Sequence, residues 1–358
     1  MTVAADMDRP TAKRPEPKPQ ADGPLLELRG LSKHFPIRRG ALIPRTVGAV
    51  KAVDNVSLTI RRGETLGLVG ESGCGKSTIG RCILKLETPT AGSVHFDGAD
   101  IAAFDGPQTA GFRRRVQAIF QDPFSSLNPR MKVAEIVGEP LIVHKVEPDR
   151  NALEARVRAL LDVCGLSPRL AYRYPHEMSG GQRQRVGIAR ALALRPDLIV
   201  CDEAVSALDV SIQAQIIKLL EDLREEFDLT YLFIGHDLSV VRHICHRVAV
   251  MYLGKLVEIS ESERLFADPQ HPYTQALLSA VPVPDPEIEE RRDHQVLKGE
   301  IPSPSNPPSG CVFHPRCPLG DQACTETVPD LRDLGDDHKA ACLKAGQPPT
   351  FQPTAAPP

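Results

Sequence analysis

Gly70-Glu71-Ser72-Gly73-Cys74-Gly75-Lys76-Ser77-Thr78 fits G-x-x-x-x-G-K-[ST] at every fixed position. Upstream, Thr65-Leu66-Gly67-Leu68-Val69 reads as a buried strand, and downstream Ile79, Cys82, Ile83 and Leu86 repeat at helical spacing. Strand, glycine-rich loop and helix in this order make a phosphate cradle: successive N–H groups curl toward phosphate oxygens, and the helix N-terminus adds partial positive charge. Gly70, Gly73 and Gly75 permit the curl, Lys76 reaches the outer phosphates and Ser77 offers its hydroxyl to Mg2+. The expected ligand is a nucleoside triphosphate with Mg2+.

Length and composition narrow the context. A chain of 358 residues predicts about two domains, and 41% hydrophobic content is ample for a core. A net charge of -3 gives no basic field, so nucleic acid is not an expected partner. No apolar run approaches the roughly 20 residues of a membrane helix, and the first residues lack the apolar segment of a signal peptide. The expectation is a cytoplasmic protein that meets a membrane only through a partner. In that compartment nine cysteines are read as packing residues or metal ligands, not as a disulfide framework.

Residues 1–24, rich in Pro, Ala, Lys and Asp, read as a disordered tail. Leu26 and Leu28 alternate with Glu27 and Arg29, and Val56, Leu58 and Ile60 with Ser57 and Thr59, which predicts half-buried strands of an antiparallel layer. Between them lie Phe35 and a polar insertion to about Gly48. Phe35 either stacks on a ligand's adenine ring or packs in the strand core. Gly92 to Gly98 predicts a hairpin, Val116 to Phe120 a short strand ending at Gln121, and Gln121 to Pro129 a loop. An amphipathic helix carrying Leu153, Val157, Leu160, Leu161 and Cys164 closes at Gly165.

Ser179-Gly180-Gly181-Gln182 opens the next helix and makes a second anion-binding nest. The apolar strand Leu198 to Cys201 then runs into Asp202-Glu203; an acid there can hold Mg2+ through water, and the next can polarise an attacking water. Ser206-Ala207-Leu208-Asp209 follows, then a helix with Ile216, Leu219, Leu220 and Leu223, then a strand from Thr230 to Ile234 ending at Gly235-His236. Cys74, Cys82, Cys164, Cys201 and Cys245 lie in these elements and read as packing or loop residues.

Taken in order, the phosphate loop, Gln121, Ser179 to Gln182, Asp202-Glu203, Ser206 to Asp209 and His236 resemble the Walker A, Q-loop, signature, Walker B, D-loop and H-loop of ATP-binding cassette (ABC) transporter subunits. The departures are Met178 for the usual leucine, Ala204 for proline and Gly235 for serine, none of which removes a group that meets phosphate, metal or water. The resemblance implies an α/β P-loop NTPase cassette over residues 25–270, with a RecA-like core, an antiparallel β subdomain and a helical subdomain at about 122–180. It implies two cassettes sandwiching two ATP molecules, with Ser179 and Gly181 of one chain serving the other's nucleotide. Mg2+ falls to Ser77, Gln121 and Asp202, the general base to Glu203, γ-phosphate and water positioning to His236, and adenine stacking to Phe35.

The remaining third resembles the C-terminal extension of dipeptide and oligopeptide importer ATPases, from Ala267-Asp268-Pro269-Gln270-His271-Pro272-Tyr273 through Leu297 to Pro304 and into four cysteines. It reads as a loop-rich module at residues 271–345 before a disordered end at 346–358. Cys311, Cys317, Cys324 and Cys342, spaced x5, x6 and x17, occupy a Pro- and Gly-rich segment with little core of its own, where a metal staple fits. Four thiolates suit zinc or an iron–sulfur cluster; the resemblance favours [4Fe–4S]. It further implies a second ATPase subunit, identical or homologous, two membrane permease subunits, an extracytoplasmic peptide-binding protein and a peripheral place on the cytoplasmic face of the inner membrane. Nickel, glutathione and other small solutes are alternative cargoes, and a soluble ABC protein acting on nucleic acid or ribosomes is the rival class.

Overall fold

A computed structural model describes residues 23–39, 45–281, 297 and 299–346. Most of both expected disordered tails, and residues 40–44 of the expected insertion, lie outside that set. The strands among the described residues are β1 (Leu26–Arg39), β2 (Arg45–Ile60), β3 (Thr65–Val69), β4 (Ala91–Phe96), β5 (Ala99–Asp100), β6 (Val116–Ile119), β7 (Leu198–Asp202), β8 (Thr230–Ile234), β9 (Arg247–Tyr252), β10 (Lys255–Glu261), β11 (Arg332–Asp333) and β12 (Lys339–Ala340). The helices are α1 (Lys76–Ile83), α2 (Gly106–Arg115), α3 (Pro123–Ser126), α4 (Val133–Val143), α5 (Arg150–Val163), α6 (Gly180–Leu192), α7 (Val210–Phe227), α8 (Leu238–Ile244), α9 (Ser262–Ala267), α10 (Pro272–Ser279) and α11 (Gln322–Glu326). The fold is mixed α/β, with antiparallel and parallel strand pairs, and the chain divides into two compact units.

One unit holds Leu26–Thr59, Thr65–Phe96 and the described residues from Phe233 on. Its antiparallel layer pairs β1 with β4, Leu26 opposite Phe96 and Leu28 opposite Val94, all four side chains buried. The expected insertion is strand over its described parts. Phe35 and Ile37 are half-buried and Pro36 and Arg38 exposed, so the two-residue alternation runs on under polar residues. In the same unit β3 pairs in parallel with β9, a pairing that buries both faces and needs the apolar runs both carry. Helix α1 stops at Ile83, short of the predicted Leu86, which is 59% exposed. Lys85 at φ 56 turns the chain away first.

The other unit holds Ile60–Glu64 and Asp97–Leu232. Here β6 and β7 pair in parallel, and α4, α5 and α6 pack on one another. Asp149 caps α5 by accepting from Ala152 N at 2.9 Å. The predicted loop at Gln121 to Pro129 contains the short helix α3, because Asp122 Oδ1 accepts from Phe124 N at 2.8 Å.

The C-terminal extension joins the first unit's sheet: β12 pairs with β10, Glu258 opposite Ala340, and β11 pairs with β12. Beneath that edge the fully buried Glu258 carboxylate accepts from Gln270 N at 2.7 Å, His271 N at 2.9 Å and His338 Nε2 at 2.7 Å. A buried carboxylate is tolerated only when so paired. Glu258→Ala strands three donors and is expected to lower stability by about 3 to 5 kcal/mol. Urea unfolding checks this, with faster proteolysis of the extension as the accompanying sign.

Candidate functional site

The phosphate loop follows β3 and opens α1. Gly70 and Gly75 sit at φ 147 and 110, where a side chain is strained, and an added Cβ would lie 2.2 Å from Met251 O and 2.0 Å from Ala52 O respectively. The loop is therefore pressed between main-chain oxygens of β9 and β2. Lys76 is buried and folds back on the loop, its Nζ donating to Gly70 O at 2.7 Å and Glu71 O at 3.0 Å. Those carbonyls satisfy a buried ammonium. Ser77 and Thr78 are half-buried at the start of α1, and Ser72 and Gly73 are exposed. The Cys74 thiol is buried, and burial pushes its pKa up, as fits a packing residue.

Glu71 is held by residues the sequence reading did not foresee. Its N–H donates to Tyr273 Oη at 2.9 Å, and its carboxylate takes a forked pair of bonds from Arg316, Nη1 to Oε2 at 2.9 Å and Nη2 to Oε1 at 3.2 Å. Separations of 202 and 245 residues leave no local signal for either contact. Elsewhere in this unit, Phe35 is half-buried on β1 under Lys33, whose Nζ lies 4.9 Å from the ring centroid. His236 is exposed just after Gly235, whose N–H donates to Leu68 O at 3.2 Å.

The other unit brings two predicted catalytic residues together: Gln121 Nε2 donates to Glu203 Oε2 at 2.7 Å. Asp202 ends β7, and Glu203 follows at φ 49, a left-handed conformation rare for a non-glycine residue. Ser206 steadies that turn, its N–H and hydroxyl both reaching Glu203 O, at 3.2 and 3.0 Å. Ser179 and Gln182 form a reciprocal capping box at the start of α6, Gln182 N to Ser179 Oγ at 3.3 Å and Ser179 N to Gln182 Oε1 at 3.1 Å. Ser179 and Gly180 are exposed and Gly181 is buried against Ile212. Asp209 caps α7, accepting from Ile212 N at 2.9 Å and Ser211 Oγ at 2.8 Å.

The four tail cysteines influence one another electrostatically. Burial, and then the neighbouring Cys342, Cys311 and Cys324, push the Cys317 thiol up to about 11. Cys311 and Cys342 are shifted the same way, again chiefly by burial. Backbone N–H groups counter this, from Phe313 and His314 at Cys311, from Leu319 at Cys317, and from Lys344 and Ala345 at Cys342. Among the described residues, no three or more His, Cys, Asp or Glu side chains are gathered closely enough to hold a metal ion. The metal centre expected at these cysteines is thus not preformed as a ligand cage.

A glycine-pressed phosphate loop, a capped Ser-Gly-Gly-Gln helix and a strand-end Asp-Glu engaged by a Q-loop glutamine define a P-loop ATPase of the ABC class. The chain belongs to the ABC transporter family, within its oligopeptide/dipeptide ATP-binding subunits. The ABC transporter family model matches residues 53–206, and that of the oligopeptide/dipeptide transporter C-terminal region matches 257–324. The chain is 56% identical to the oligopeptide transport ATP-binding protein AppF of Bacillus subtilis, over 89% of this chain and 96% of that one. It is 55% identical to a putative peptide import ATP-binding protein of Brucella ovis, over 90% and 98%. Among solved structures it resembles cbiO1 of Clostridium perfringens, part of a cbiONQ ABC transporter complex, with TM-score 0.60 and 25% identity over 69% of this chain and 92% of that one. It also resembles a dimeric ATP-binding cassette in a post-hydrolysis state with ADP and Pi, with TM-score 0.58 and 30% identity over 66% and 98%.

Asp209→Ala is expected to cost about 1 kcal/mol through the lost cap, whereas Asp209→Asn, an equally good cap, keeps stability. Thermal unfolding of both variants checks this; an activity loss in the asparagine variant then reports a role beyond capping.

Proposed function

We propose that this chain is the ATP-hydrolysing subunit of an importer of di- and oligopeptides, acting at the cytoplasmic face of a membrane through separate permease subunits and an extracytoplasmic peptide-binding protein. The observation that carries the peptide assignment is the joint match of cassette and C-terminal extension, together with similarity over almost their whole length to relatives named as oligopeptide and peptide import ATP-binding proteins. Among the described residues no helix is long and apolar enough to cross a membrane, consistent with attachment through partners.

In this reading Lys76 binds the outer phosphates, Ser77, Gln121 and Asp202 serve Mg2+, and Phe35 stacks on the adenine. Glu203 takes a proton from the attacking water, and His236 holds that water and the γ-phosphate. Ser179 and Gly181 meet the nucleotide bound by a second ATPase subunit, so the working form is a dimer. The Gln121 to Glu203 hydrogen bond at 2.7 Å supports bringing both to one site; in this reading Gln121 and the loop after it feel the γ-phosphate and push on a permease subunit. Glu203→Gln is expected to keep ATP affinity and lose turnover by a factor on the order of 10² to 10⁴, with the ATP-bound dimer accumulating in size-exclusion runs. Hydrolysis at the parent rate would remove Glu203 from this role.

The proposal also takes Cys311, Cys317, Cys324 and Cys342 as ligands of a [4Fe–4S] cluster that staples the extension. The resemblance of this extension to that of importer ATPases and the presence of four cysteines within it carry the reading, and the Lys344 N–H, donating to Cys342 Sγ at 3.3 Å, is the kind of donor that steadies a bound thiolate. Anaerobically purified protein is expected to be brown and to carry iron and acid-labile sulfide. Colourless protein with one zinc per chain assigns the site to zinc, and folded metal-free protein ends the proposal.

A further inference from the structure

Glu71 is the one acidic side chain of the phosphate loop, two residues before Gly73 and five before Lys76. A carboxylate there repels the triphosphate that the loop's N–H groups and Lys76 attract. The fold answers with the cation of Arg316. Arg316 is 8% exposed and binds both Glu71 oxygens with its planar fork, while the Glu71 carboxylate is 25% exposed. The fork matches a carboxylate in a way a lysine ammonium does not.

Arg316 is held in place from behind. It lies in a tight turn closed by His314 N to Cys311 O at 3.0 Å, Arg316 N to Phe313 O at 3.0 Å and Cys317 N to His314 O at 3.2 Å. Phe313 is fully buried, its ring 5.2 Å from that of Tyr252 and 5.5 Å from that of Tyr273. Tyr252 offers its hydroxyl to Arg316 Nη1 at 3.4 Å, and Tyr273 accepts the Glu71 N–H. Extension residues thus hold Glu71 by main chain and side chain together.

We propose that Arg316 is a positioning residue for nucleotide binding: it cancels and holds the acidic charge of the phosphate loop, making ATP affinity depend on the C-terminal extension. The contact lies within one chain, so the proposal does not depend on which cargo the importer carries. Its consequence is a specific pattern of suppression. Removing Arg316 exposes the carboxylate and weakens ATP binding, and removing the carboxylate as well makes Arg316 unnecessary.

The experiment measures MgATP affinity by equilibrium binding, kcat at saturating ATP, and nucleotide-free melting temperature in full-length protein. Arg316→Ala is expected to raise the Kd about tenfold, or about 1.4 kcal/mol, with kcat little changed. Glu71→Gln leaves the arginine's charge unopposed and is expected to lower the Kd, and Glu71→Gln/Arg316→Ala to return to within about twofold of the parent. Arg316→Lys, which keeps the charge, recovers most of the affinity. A double variant as weak as Arg316→Ala alone overturns the proposal, because the arginine would then act as scaffold and not on charge. Parent affinity in Arg316→Ala overturns it equally. If Arg316→Ala fails to fold, Glu71→Gln and Arg316→Lys decide: a tenfold loss in either at an unchanged melting temperature refutes charge cancellation.

Discussion

The constraint on which the structure turns is the tight backbone of the loop from Gly70 to Gly75. Gly70 and Gly75 hold positive φ, and neither leaves room for a Cβ, because Met251 O and Ala52 O press on the loop from two strands. The parallel register of β3 with β9, Val69 opposite Val250, helps set Met251 beside the loop. The buried Lys76 ammonium is the electrostatic counterpart of this geometry. Gly70 O and Glu71 O solvate it, so the desolvation cost of this buried charge is already met by the fold.

Much of the cassette was legible because its signals are local. Ser179-Gly180-Gly181-Gln182 reads as the opening of a helix, and the structure starts α6 there with the serine and glutamine capping it. Apolar runs gave the positions of β3, β7 and β8, all buried over nearly their whole length. The misreadings are local too. Polar residues between Phe35 and Gly48 looked like an insertion because composition outweighed alternation, and Leu86 fitted a helical period that Lys85 interrupts.

What lay beyond the sequence is long-range pairing. Nothing in Arg332–Asp333 or Lys339–Ala340 announces strands of two residues, since they are strands only through their partners at the edge of β10. One signal was present and went unused: Glu258 stands in Leu256-Val257-Glu258-Ile259, an acid inside an apolar run. A buried acid demands donors, and His338 with the amides of residues 270 and 271 supplies them. Arg316 gave no such sign. A basic residue among prolines and cysteines reads as solvated until the fold places Glu71 beside it.

Several residues of the motifs hold one another in place. Glu203 pays for its left-handed backbone, a conformation that costs roughly 1 to 3 kcal/mol outside glycine. Ser206, three residues later, offsets that with two bonds to its carbonyl, and Gln121 fixes the carboxylate from another segment. Asp209 spends its side chain on the cap of α7, and Ser179 and Gln182 spend theirs on each other. These spacings of three follow from turn and helix geometry, with no reference to nucleotide chemistry. That explains why motif order is so informative in this chain. A substitution that spares every ligand-facing group can still be felt at the site, through the residue whose backbone that group needs.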